Sequence, residues 1–197
     1  MTKEFYILLT MLLLTGFGTA VVISVHDDDK RAKPYDDVQH TVCLELRSKA
    51  LRFFDQKDLF EAENNLRKFL KIEPENREMQ LLYGRILLET GRNEEAERVF
   101  RRLSSSNPLD CGARNNLAAA MMLRHQYESA LREFLLAARN EAGKQYVPIN
   151  IATVKRALEL SKSNKKFIIS INAGKMSGRN IGVITTSIVE LQEKTIQ

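Results

Sequence analysis

Hydrophobic positions along this chain fall into three regimes. From Phe5 to Val25 no charged residue occurs, and these 21 residues at about 1.5 Å of helical rise span roughly 30 Å, a hydrocarbon core's thickness. That run predicts a transmembrane helix behind a short flank, residues 1–4. Residues 26–42 are polar, contain Pro34 and carry no apolar period, which predicts a solvated linker. From Cys43 onward the apolar residues take helical spacing. Ala62, Ala96 and Ala130 lie 34 residues apart, each followed by bulky Leu66, Phe100 and Phe134 four positions on. Phe69, Leu103 and Ala137 continue the stripe at seven positions, and Pro74 and Pro108 stand at twelve. A stripe that returns at a fixed interval predicts stacked helix pairs, a solenoid rather than a globular domain.

These residues, with Tyr83-Gly84, Gly91 and Leu117-Ala118, resemble the tetratricopeptide repeat family. With the family's first position at Cys43, Arg77 and Cys111, three repeats span 43–76, 77–110 and 111–144. The expected fold is an all-α helix-hairpin solenoid of about three repeats with a capping helix, preceded by the transmembrane helix. The cap is read from Pro148 to Leu160, where Ile151-Ala152 copies Leu117-Ala118, so the repeat domain is placed at 43–162. No repeat carries the family's Trp; Leu46, Gln80 and Arg114 stand there, and Lys49 replaces a typical Leu. Small residues at Ala50, Gly84 and Ala118 are expected to let helices approach to about 8–10 Å.

The resemblance implies that first helices line a concave groove holding a protein or peptide partner. Projected onto this register, it gives Arg47, Phe54, Arg85, Asn115, Asn116, Met122 and Asn150 as candidate peptide-binding residues. Asn116 and Asn150 are 34 apart, and primary amides can pair with both the N–H and C=O of an extended chain. Some members of the family use such an asparagine ladder. Ser48 and Leu82 occupy the equivalent places in the first two repeats and shorten it. The carboxylate clamp of chaperone-binding members is not reproduced by Arg47 with Leu51 or Leu81 with Arg85.

Charge divides the chain further. Residues 1–42 carry −2, residues 43–142 carry +1 and residues 143–197 carry +6, within a total of +5. The repeats are therefore nearly neutral, and no nucleic-acid partner is expected for them. Within the basic segment 163–197, two β-branched stretches, Phe167–Ile171 and Ile181–Val189, suit a hairpin. Val183 to Ile196 also fits an amphipathic helix, supported by Glu190 with Lys194. Lys165, Lys166, Lys175 and Arg179 suit an acidic partner or anionic lipid.

No catalytic, cofactor or metal constellation is found, so neither an enzyme nor a cofactor is expected. His26, His40 and His125 fall in the linker or a turn, and Asn172–Gly178 lacks phosphate-loop spacing. Cys43 and Cys111 hold the same repeat position two periods apart, too distant for a disulfide. The apolar run has two readings: an uncleaved signal anchor, or a leader cut after Gly18-Thr19-Ala20. Its length favours the anchor, and the flanking charges leave orientation open. Gly16 and Ala20 also offer a small-xxx-small pair for self-association. The expectation is a single-pass membrane adaptor in an envelope assembly, with its repeats on the non-cytoplasmic side. The alternative is a soluble periplasmic or secreted chaperone.

Overall fold

The computed structural model describes residues 29–143, 145–173 and 184–191. The Phe5–Val25 run, its cleavage and pairing motifs, and the loop at 174–183 lie outside the described residues. Among the described residues no helix is long and apolar enough to cross a membrane. The chain divides into Met1–His40 and Thr41–Gln197, and the account below concerns the second unit.

Seven α-helices are described: α1 (Asp29–Asp55), α2 (Leu59–Ile72), α3 (Arg77–Glu89), α4 (Asn93–Ser106), α5 (Cys111–Leu123), α6 (Tyr127–Ala137) and α7 (Val147–Lys162). Antiparallel strands β1 (Phe167–Ala173) and β2 (Ile184–Glu190) follow. The predicted register is visible directly, since Arg77 and Cys111 open α3 and α5. The hairpin reading of the C-terminal segment holds over both strands, and the amphipathic-helix alternative does not describe 184–190. One boundary differs from expectation. Residues 29–42, read as linker, are helical and belong to α1. A helix nucleated by packed turns elongates outward at little further cost, so a polar run needs no apolar period of its own.

The turns show why the helices break where they do. Lys57, Gly91 and His125 are spaced 34 apart and take φ of 64°, 77° and 60°. Each closes its helix with the same pair of bonds: Arg92 N–H to Leu87 C=O at 2.8 Å and Gly91 N–H to Leu88 C=O at 3.0 Å in the second repeat. The first and third repeats repeat this pattern from Asp58 and Gln126. This is a left-handed helix stop, and only the second repeat supplies the glycine that adopts it without strain.

Helix starts are equally local. Asp58, Asn76 and Asp110 accept from the backbone N–H of Glu61, Met79 and Ala113 at 3.1, 3.2 and 3.0 Å, as good N-caps do. Asp110 does more, because its carboxylate also receives the Arg77 guanidinium, Nη2 to Oδ1 at 2.6 Å, with Nε on Oδ2. Burial alone would raise its pKa, but Arg77 and the Ala113 N–H outweigh that and hold it below the usual carboxylate value. A depressed native pKa contributes stability above the unfolded value, about 3.9, and that contribution disappears as pH falls through the native pKa. Asp110→Asn should therefore be less stable than the parent at neutral pH, with the gap closing below about pH 4. Denaturant melts across that range test it; a gap independent of pH would rule the charge out.

The core follows the stripe. Ala62, Ala96, Ala130, Leu66, Phe100 and Phe134 are all fully buried, as are Ala50 and Ala118 on the first helices. One cluster joins α1, α2 and α3 and a second runs from α3 to α7, with Tyr83 packed against both. The second cluster reaches the hairpin through Ile184, Phe167 and Ile169. Thus β1 and β2 are packed on the array rather than trailing from it.

Candidate functional site: an asparagine ladder carrying a strand

The candidate groove residues separate into two groups. Asn115 and Asn116 on α5 and Asn150 on α7 have no exposed surface, because β2 lies across them. Ile184 donates its N–H to Asn116 Oδ1 at 3.2 Å. Its carbonyl accepts from Asn115 Nδ2 at 2.8 Å and from Asn150 Nδ2 at 2.9 Å. One pleat on, Thr186 N–H donates to Asn150 Oδ1 at 2.7 Å, and its carbonyl accepts from Thr153 Oγ1 at 3.0 Å. The Thr186 hydroxyl adds a bond to Asn150 Oδ1 at 3.0 Å. The amides also brace one another, Asn150 Nδ2 to Asn115 Oδ1 at 2.7 Å and Asn115 Nδ2 to Asn116 Oδ1 at 3.2 Å. Asn150 thus uses both N–H donors and two acceptor sites.

This geometry also orients the hairpin. A strand residue sends its N–H and C=O to the same side, so Ile184 and Thr186 present one edge of β2 to the helices. Thr185 and Ser187 then face β1, where they pair with Asn172 and Ser170. Sequence placed Asn116 and Asn150 one repeat apart in a groove; the structure fills that stretch with the chain's own strand. Ile184 and Thr186 are absent from the candidate set. Alternating β-branched residues at 184–188 signal a strand, but nothing local says what it pairs with.

The second group, Met122 of the third repeat apart, lies in the first two repeats. Arg47 remains half exposed and places Nη2 at 2.9 and 2.8 Å from the two carboxylate oxygens of Glu78. Arg85 is 3% exposed, stacked 4.5 Å over the Phe54 ring, with Nε on Glu89 at 3.1 Å. Burial pushes the Arg85 pKa down, and Glu89 opposes that shift. Lys57 reaches the same carboxylate at 3.2 Å. Phe54 and Met122 are core residues with 2% and 0% exposure and have no wall surface to present. The reason is helical periodicity: each lies four positions after a small packing residue, Ala50 or Ala118, and so shares its buried face. Arg85 is likewise part of the packing and not an open cationic contact.

Both cysteines are free and buried. Cys111 Sγ lies 3.0 Å from the Tyr146 hydroxyl, and burial, with the Cys111 contact, pushes that phenol's pKa up. Among the described residues no group of His, Cys, Asp or Glu is placed to hold a metal.

A family model described as tetratricopeptide repeat matches residues 53–121. Solved structures agree on the fold. The crystal structure of MamA protein superposes with a TM-score of 0.53 at 15% identity, over 59% of this chain and 64% of that one. The first tetratricopeptide domain of human RPAP3 gives 0.57 at 19% identity, covering 64% of this chain and 98% of that domain. The Sgt2 domain from Aspergillus fumigatus gives 0.57 at 16% identity, covering 70% and 91%. This chain therefore spans somewhat less than two thirds of the MamA chain. No curated protein matches it.

Proposed function

We propose that this protein is a membrane-anchored adaptor that holds an extended segment of a partner protein along the concave face of its repeats. The observation carrying this reading is the ladder: buried amides on α5 and α7 grip a strand through its main chain. Backbone recognition of this kind suits a guest chain, because it gives affinity without demanding one sequence. The uncharged Phe5–Val25 run supports the anchor, long enough to span a bilayer, and the near-neutral repeats favour a protein over a nucleic-acid partner. We place the repeats on the non-cytoplasmic side, within an envelope assembly. A leader cleaved after Ala20 would instead release a soluble chaperone, with an intact mass short of the first 20 residues.

Site-specific photo-crosslinking in cells tests the reading. A crosslinker at Arg47, on the first helix of its repeat, should capture a discrete protein from the detergent-solubilised membrane fraction. The same group at Phe60, exposed on the second helix, should not. Equal capture at both positions, or recovery of the chain only in the soluble fraction, would defeat the adaptor or the anchor respectively.

A further inference from the structure

The ladder displays the chemistry of what it accepts. Apart from the Thr186 hydroxyl, the bonds named above between the ladder and β2 end on main-chain atoms of Ile184 and Thr186. Two side chains are enclosed, Ile184 at 0% and Thr186 at 2% exposure. Recognition therefore consists of an extended backbone, a branched apolar residue and, two positions later, a threonine whose hydroxyl meets Asn150. None of these requires the strand to belong to this chain.

The hold on β2 is also shallow. Among the described residues of the hairpin only those two are fully enclosed. Phe167, Ile169, Ile171 and Ile188 are partly buried against the α3-to-α7 cluster, and Ile168, Val189 and Leu191 stay exposed. An isolated two-stranded hairpin is marginal by itself. Lifting it off the array thus requires opening this seat and the contacts of Phe167, Ile169, Ile171 and Ile188 with the α3-to-α7 cluster, a local opening rather than a global one. The α1-to-α3 cluster contains no hairpin residue, so that part of the stripe stays buried whether or not the seat is filled.

We infer that β2 is a resident pseudo-ligand of the groove. It is displaced by an extended partner segment that carries a branched apolar residue followed two positions on by threonine. The inference rests on the groove-binding reading above and names the class of segment the groove takes. It also supplies regulation, because a resident strand reduces a partner's apparent affinity to its intrinsic affinity multiplied by the fraction of time the seat is open.

A fluorescent peptide copying residues 181–191 (IGVITTSIVEL) is the probe, titrated into the full-length chain in detergent micelles. Thr186→Pro in the chain removes the N–H that bonds Asn150 and leaves the ladder itself unaltered. That N–H points away from β1, so hairpin pairing is spared. The variant should bind the peptide about tenfold or more tightly than the parent. Adding Asn150→Ala should abolish the gain, and a peptide with aspartate in place of the residue matching Ile184 should not bind. Equal affinity in parent and Thr186→Pro overturns the inference, as does binding indifferent to Asn150→Ala. A doubled mass without peptide binding also overturns it, because the hairpin is then exchanged between copies. Should the proline variant fail to fold, native-state hydrogen exchange on the parent decides. Ile184 and Thr186 amides must exchange through local opening, with far less protection than Ala119 in α5, and equal protection refutes displacement. The assay needs no partner, so its failure leaves the crosslinking result standing.

Discussion

Gly84→Ala is expected to destabilise the repeat array by about 2 kcal/mol, although alanine is the better helix former by about 1 kcal/mol. Gly84 sits inside α3, and a Cβ there would meet the Phe100 ring, Cε1 and Cζ, at 2.5 Å. Phe100 is fully buried in the α3-to-α7 cluster and has no free space to swing into. Overpacking in a dense core moves backbone or forces strained rotamers, and here it outweighs the propensity gain. For a domain of this size the loss corresponds to a melting point lower by about 4–8 °C. A companion variant makes the cause specific. Phe100→Leu opens the contact, so the double variant should lose clearly less than the two single losses combined. A Gly84→Ala protein that melts with or above the parent would eliminate the close approach as the reason for glycine.

Asn150→Ala is the second large effect, and it should appear locally before it appears globally. The substitution removes both donors and both acceptor bonds of the residue at the centre of the ladder. The Ile184 carbonyl keeps Asn115, but the Thr186 N–H is left without its acceptor against a buried surface. A stranded buried donor costs about 1–3 kcal/mol, so near 2 kcal/mol the Ile184 and Thr186 amides should exchange about thirtyfold faster. Amides in α3 and α4 should hardly change. Asn150→Asp separates shape from chemistry: it keeps an acceptor for Thr186 but turns an oxygen toward the Ile184 carbonyl and Asn115 Oδ1. It should loosen the strand at least as much as alanine does. If both variants preserve exchange protection at 184 and 186, the ladder does not hold the strand.

Much of the array was legible because its determinants are local and repeat. The small-then-bulky stripe is read from a short window, and the interval of 34 confirms the window by repetition. The caps at Asn76 and Asp110 and the left-handed stops at 57, 91 and 125, which the structure adds, also act within a few residues. Asn116 and Asn150 were legible on the same ground. Phe54, Arg85 and Met122 were misplaced because a first helix in a solenoid touches its own second helix and both neighbouring repeats. Most of its circumference is consequently buried, and residues one turn beyond Ala50 and Ala118 belong to that buried part.

By itself, then, the sequence determined the helix pairs, their register, the small residues at their contact and the presence of two β-branched stretches near the end. Tertiary structure alone decided that one of those stretches returns across the groove and occupies the ladder. The bonds joining Asn116 to Ile184 close a loop 68 residues long. Main-chain groups of a strand are alike in every sequence, so no side-chain pattern at either end encodes the pairing. It is decided where the folded helices leave aligned amides and the hairpin brings an unpaired edge to meet them.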